Sequence, residues 1–452
     1  MGYLAIASIV LLAVMTIVVD ARRTRTVAPL TLLTISNLLW VELNPSVWLF
    51  SPSDARYFGS LVSMIAEATE DGVVRVLFAG ACFQFGLAAV AILFATRDEP
   101  RVHTTVTLSD ALARALYRLA LALLALGLLG VVLIGLRYNG SPLGLYDLRY
   151  GKRTEFMYDI SILSFMLDLV QYGAAVLVTT LILRGRNLLA TGVLVGLILH
   201  ATLMKSKFPI LCVSTTFAAA TFLSGRLRAR RLTTWLPLLL AATVLVSLSF
   251  ARSAKEQDLT GMFEQVASNR DVAYQKTVGT IWENDFPGAA AASYIVMNTE
   301  DGSFNLRPLQ EALMIFVPRF IYDRGPSQAD EFAAHLLGAR AYFAGAGISW
   351  SPVCDGYRLF GFVGVFVVAL AIAFLGAALS SGLRSPSIAA RERACVLACI
   401  CAPCFILASR NSLGGTLKTT VITVFVGFLP TWLLGYRPVR SSRVSTMMER
   451  PA

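Results

Sequence analysis

Apolar runs of about 20 residues recur from one end of the chain to the other, the length an α-helix needs to cross a ~30 Å hydrocarbon core. Eleven are predicted, at 2–19, 27–43, 73–95, 115–136, 159–183, 187–203, 208–224, 232–250, 357–379, 392–408 and 416–435. In lipid, backbone polar groups find no water, so a crossing segment satisfies its own N–H and C=O groups by being helical. The expected fold is therefore all-α, a polytopic membrane helical bundle of about 11 spans. A hydrophobic content of 56% with only 15% charged residues exceeds that of ordinary soluble domains and agrees with this.

Orientation follows from Lys and Arg, which insertion retains in cytoplasmic loops. Alternate connections carry them in clusters: Arg22, Arg23 and Arg25; Arg97 and Arg101; Arg184 and Arg186; Arg226 to Arg231; Arg384, Arg391 and Arg393; Arg437, Arg440 and Arg443. Assigning these to the cytoplasm puts the amino terminus outside and the carboxyl terminus inside. The net charge of +11 is then largely a topology signal and calls for no nucleic acid. The first apolar run has its basic residues after it, so it reads as a span and not as a secretory leader.

Three regions result: spans 1 to 8 over 1–250, a large extracytoplasmic loop over 251–356, and spans 9 to 11 with a cytoplasmic tail over 357–452. Within the loop, 253–285 is polar and charged. The segment 309–322 is apolar but too short to span, and fits an interfacial or re-entrant helix that stops near Pro318. Pro and Gly between 325 and 350 imply irregular backbone, tolerated at membrane depth only under protein cover or beside a water-filled cavity.

The outer connections hold cations that insertion does not explain: Arg137, Arg149, Lys152, Arg153, Lys205, Lys207, Arg319, Arg358, Arg410 and Lys418. An anionic ligand explains them. Arg offers a planar fork to phosphate oxygens and Lys a point charge, so a convergent set suits a diphosphate. The plainer reading is that they reach lipid phosphates or pair with Asp147, Glu155, Glu256, Asp323 and Asp330. Asp168, within a span, is expected to face the bundle interior or a partner there. Six of seven cysteines lie in apolar spans and only Cys354 outside, so no disulfide framework is expected, and the run Cys395 to Cys404 reads as helix packing. Three scattered histidines, His103, His200 and His335, make no metal triad. Neither a Walker-type loop, a His-Glu-x-x-His pair nor a Gly-x-Ser-x-Gly elbow occurs, so no metal or cofactor is expected.

The second half of the loop carries Pro318-Arg319, a Gly-x-Gly-x-Ser run from Gly345 to Ser349, Asp355 two residues before Tyr357, then Phe360-Gly361-Phe362-Val363-Gly364 opening a span. With Lys205-Ser206-Lys207 and Ser409-Arg410, this order resembles the Wzy-type oligosaccharide repeat-unit polymerases of bacterial inner membranes. Those enzymes more usually carry Glu at the position of Asp355, and a neutral residue at that of Arg358. The resemblance implies transfer of a glycan from undecaprenyl diphosphate onto an incoming lipid-linked repeat at the periplasmic face, without nucleotide sugar or ATP. Membrane lipids and a chain-length-regulator protein are the implied partners. On this reading Arg319 and Arg410 contact diphosphate, with Lys205, Lys207 and Arg153 next and Arg149, Arg137 and Arg358 around them. Asp355 is the leading general base or acceptor-orienting group and His335 the second. Tyr322, Tyr342, Trp350 and Tyr357 stack on sugar rings or anchor the bilayer interface. An O-antigen ligase, a lipid-linked glycan flippase and a structural subunit of an export assembly remain as rival readings.

Overall fold

A computed structural model describes residues 1–24, 29–50, 69–95, 107–147, 161–204, 206, 208–224, 238–241, 287–314, 317, 327–329, 331–332, 349–385 and 387–433. All regular structure among them is helical. The helices are α1 (Gly2–Thr24), α2 (Pro29–Asn37), a π-helical turn (Leu38–Glu42), α3 (Leu43–Phe50), α4 (Glu70–Ala95), α5 (Asp110–Asn139) and α6 (Gly144–Asp147). They continue as α7 (Ser161–Leu183), α8 (Asn187–Leu203), α9 (Phe208–Leu223), α10 (Pro287–Thr299), α11 (Arg307–Met314), α12 (Pro352–Ser381), α13 (Ile388–Ala408) and α14 (Leu413–Leu433).

Helices occupy ten of the eleven expected stretches, and the expected span at 232–250 lies almost wholly outside the described residues. Among the described residues five helices are long and apolar enough to cross a membrane: Gly2–Asp20, Glu70–Ala95, Asp110–Arg137, Phe165–Leu183 and Pro352–Ser381. The helices over 187–203 and 208–223 are apolar but shorter, and the expected span at 27–43 is divided among α2, the π-helical turn and α3.

Two cores share the bundle. One joins α5, α7, α8 and α9 to the first half of α13 through residues such as Leu116, Val176, Leu194, Phe217 and Cys399. The other joins α2, α4, α10, α12 and the second half of α13 through Leu33, Phe83, Val296, Val365 and Phe405. α13 thus belongs to both, and its two ends mark two polar layers. At its start, Glu392 accepts the Ser109 backbone N–H (3.1 Å) and hydroxyl (2.8 Å) at the head of α5, where Arg184 also pairs with Asp110 at 2.5 Å. At its end, the turn through Arg410 leads into α14. A helix of 21 residues separates the two layers by ~30 Å at 1.5 Å per residue, close to a hydrocarbon core.

Part of the stretch expected as the outer loop, 287–314, is helical and packs on the bundle. α10, not foreseen, begins with Pro287 in its first turn and runs into Ala289, Ala290, Ala291 and Ala292, all buried, as are Ser293, Val296 and Met297. Small side chains bring its backbone close to α4, where a Cβ at Gly72 would lie 2.6 Å from the Tyr294 ring. α11 starts before the expected position and ends at Met314, with Pro318 beyond it outside the described residues.

The glycine-rich opening of α12 is a tight reversal, where the sequence suggests a continuous start of a span. Phe360 (φ −154°, ψ 34°) and Gly361 (φ 60°, ψ −144°) break the helix, and a Cβ at Gly364 would lie 2.0 Å from the Gly356 carbonyl oxygen. Gly361 occupies a backbone region that L side chains rarely enter. Gly361→Ala is expected to cost on the order of 1–3 kcal/mol, seen as a lower Tm of the purified protein in detergent. Asp168, on α7, is expected to face the bundle interior but is exposed, with Lys418 of α14 the cation that acts on it electrostatically.

Candidate functional site

The site is built where the short first part of α12 meets α11 and the head of α14. Ser351 stands in extended conformation before α12 and its hydroxyl accepts the Val353 N–H (3.1 Å), with Pro352 in the first turn, a pairing that fixes the helix start. One turn on, Asp355 is 4% exposed. One carboxylate oxygen accepts the Trp350 indole N–H (2.7 Å), and the other the Leu413 backbone N–H (2.5 Å). Leu413 is the first residue of α14, so a side chain 58 positions earlier caps that helix. Ser412 adds a local cap by accepting the Gly415 N–H (3.1 Å). A carboxylate there also complements the positive end of the helix dipole.

Arg410 lies in the preceding turn, half-buried, and its Nε donates to the Ser349 hydroxyl (2.9 Å). Two contacts, Arg410 to Ser349 and Leu413 to Asp355, therefore fasten the connection between α13 and α14 to the stretch 349–355. α11 closes a further side. A Cβ at Gly414 would lie 3.1 Å from the Ala312 Cα, so the absence of a side chain sets how near α11 approaches.

Arg358 is engaged inside the protein. Its guanidinium grips Glu300, through Nε at 3.0 and 2.8 Å and through a second close contact from Nη2, and Nη1 donates to the Gln328 amide oxygen (2.8 Å). Its carbon centre sits 5.0 Å from the Trp350 ring centroid, a cation–π arrangement. Expected around an outer diphosphate, Arg358 here engages a carboxylate and an amide through three of its five N–H donors. From Gln328 the network continues: its backbone N–H reaches both Glu311 oxygens (3.1 and 3.2 Å), and Arg307 bridges Glu311 (3.1 Å) and Glu331 (2.7 Å). Burial pushes the Glu311 carboxyl above the usual carboxylate range, against the opposing pull of the Gln328 N–H and Arg307.

Tyr357 is 6% exposed, edge-on to Phe362 with ring centroids 5.3 Å apart, and covers Gly302. Trp350 is 3% exposed and edge-on to Phe332 at 5.1 Å. Both rings pack inside, which removes them as open platforms for a sugar. Arg137 is on α5, in its last turn, where a cation suits the helix's negative end. The structure thus brings Asp355, Tyr357, Arg358 and Arg410 into one cluster. Arg149, Arg153, Lys205, Lys207, Arg319, Tyr322 and His335 lie outside the described residues.

Glu300, Gln328 and Ser349 complete the cluster and were not singled out by the sequence. Only Ser349 carried a signal, as the end of the Gly-x-Gly-x-Ser run. Cys354 is a buried free thiol 3.4 Å from the Ser293 hydroxyl, where the sequence placed it on an outer face. Among the described residues no group of three or more His, Cys, Asp or Glu side chains is arranged to hold a metal.

Fold and site together define an all-helical protein of membrane-spanning type, with an interhelical polar cluster at one end of α13. No protein-family model, curated protein or solved structure matches the chain.

Proposed function

We propose that this protein is an eleven-span glycosyltransferase of a bacterial inner membrane, with its amino terminus periplasmic and its carboxyl terminus cytoplasmic. It polymerises undecaprenyl-diphosphate-linked oligosaccharide repeats at the periplasmic face. What supports the reading is one observation: two stretches that carry the resemblance, 349–364 and Ser409-Arg410, join through the Ser349–Arg410 and Asp355–Leu413 hydrogen bonds, whose partners are 61 and 58 positions apart.

In the proposed reaction an acceptor hydroxyl oxygen attacks the anomeric carbon of the donor glycan. The bond from that carbon to the diphosphate oxygen breaks, the lipid diphosphate leaves with the electron pair, and the hydroxyl proton passes to a base. Arg410, with Arg319, Lys205, Lys207 and Arg153, stabilises charge developing on the diphosphate; no cofactor enters. Asp355 is a positioning residue in this scheme. With both oxygens engaged in a buried pocket, it holds the head of α14 and thereby the turn that presents Arg410. Proton transfer then falls to His335.

The decisive experiment mixes the purified protein in nanodiscs with a lipid-diphosphate-linked repeat unit and separates the products on a gel. The expected result is a ladder of polymer. Transfer only to added lipid A core would make it a ligase, and unchanged substrate moved across the bilayer would make it a flippase.

A further inference from the structure

Midway along α4 a second polar group lies inside the apolar bundle. Glu42 ends the π-helical turn and is 1% exposed. Its carboxylate accepts the Asn37 Nδ2 in a short contact and the Gln84 Nε2 at 3.3 and 3.2 Å. Asn37 and Gln84 are fully buried. Among the described residues no Lys or Arg pairs with Glu42. The Oδ1 of Asn37, the Oε1 of Gln84, the Oγ1 of neighbouring Thr34 and both amide atoms of Asn44 have no hydrogen-bond partner there. Gly80 makes room for the group: a Cβ at that position would lie 2.8 Å from the Glu42 Cγ and 2.9 Å from its Oε1.

Three physical facts narrow what this arrangement suits. A buried carboxylate without a cationic partner is costly, and one positive charge balances it where two would leave an excess in the apolar interior. Each unpaired buried oxygen costs about 1–3 kcal/mol, and a proton on Glu42 relieves only one of several. The side-chain amides of Asn37 and Gln84 present either their nitrogen or their oxygen to Glu42 after a half-turn. With the oxygens turned inward, two amide oxygens and the carboxylate face one point, a donor set of the hard, all-oxygen kind that takes alkali and alkaline-earth cations. π-Helical turns also concentrate at functional sites in helical proteins.

We propose that Asn37, Glu42 and Gln84, with Thr34 beside them, form a binding site for a single monovalent alkali cation at mid-depth in the bundle. The proposal is independent of the glycan reading, and its test measures no transfer activity. Thermal unfolding of the full chain in nanodiscs is followed at fixed ionic strength while choline chloride is replaced by NaCl, KCl or LiCl. One alkali cation is expected to raise Tm progressively with its concentration, and equilibrium binding of that radiolabelled cation should saturate at one per chain. Glu42→Gln and Gln84→Leu should each abolish the binding.

A wild-type Tm indifferent to all three salts, with no saturable binding, overturns the proposal even if both variants fail to fold. So does a Tm that follows pH alone, which would assign a proton to Glu42. Retention of one-to-one binding in Glu42→Gln overturns it as well.

Discussion

Arg410→Ala is expected to lower polymer formation about a hundredfold, equivalent to on the order of 3 kcal/mol in barrier, with the amount of folded protein unchanged. The guanidinium is half-buried in a turn, and one group it contacts, the Ser349 hydroxyl, is neutral and can be satisfied by water. The loss should appear in kcat more than in KM, because a contact to the departing diphosphate strengthens as the bond breaks. Arg410→Lys keeps a positive charge but loses the fork, and should recover part of the rate. Initial-rate measurement with lipid-linked repeat in nanodiscs checks this. Wild-type rates in Arg410→Ala would remove Arg410 from the diphosphate site.

The second large effect concerns the fold. Asp355→Ala deletes the cap on the first N–H of α14 and leaves the Trp350 indole N–H buried without an acceptor. A lost cap costs ~1 kcal/mol and an unsatisfied buried donor ~1–3, so the variant is expected to be destabilised by about 3 kcal/mol. Asp355→Asn presents a single acceptor oxygen where two donors need one each, and should lose less. Chemical denaturation in detergent, followed by tryptophan fluorescence, orders the three proteins wild type, Asn, Ala. In the folded fraction a positioning residue lowers activity without shifting the pH profile. A lost acidic limb in Asp355→Asn would instead identify Asp355 as the base.

These two residues show how far the sequence carried. Arg410 stands out as an outer cation that insertion does not explain, and Asp355 through the motif that carries the resemblance. Their relation was not legible, because the Asp355–Leu413 bond closes across 58 residues and no local pattern encodes a cap from so far away. Arg358 shows the same limit more sharply. It reads as one more outer cation, whereas a Glu300 carboxylate and a Trp350 face turn it into internal scaffolding. Phe360 to Gly364 looked like the ordinary start of a span; the near contact of Gly364 with the Gly356 carbonyl reveals why glycines stand there. Glu42 and Gln84 carry no signal in the sequence, each being a polar residue within an apolar stretch.

The sequence by itself determined that the chain is helical and rich in membrane-length segments. That information is local: an apolar run of sufficient length has one way to satisfy its backbone in lipid, whatever its neighbours do. Only the tertiary structure decided which polar side chains hold helices together, as Asp355 and Arg358 do. That choice rests on short-range contacts of a few ångströms between residues distant in the chain, and composition and periodicity carry no record of them.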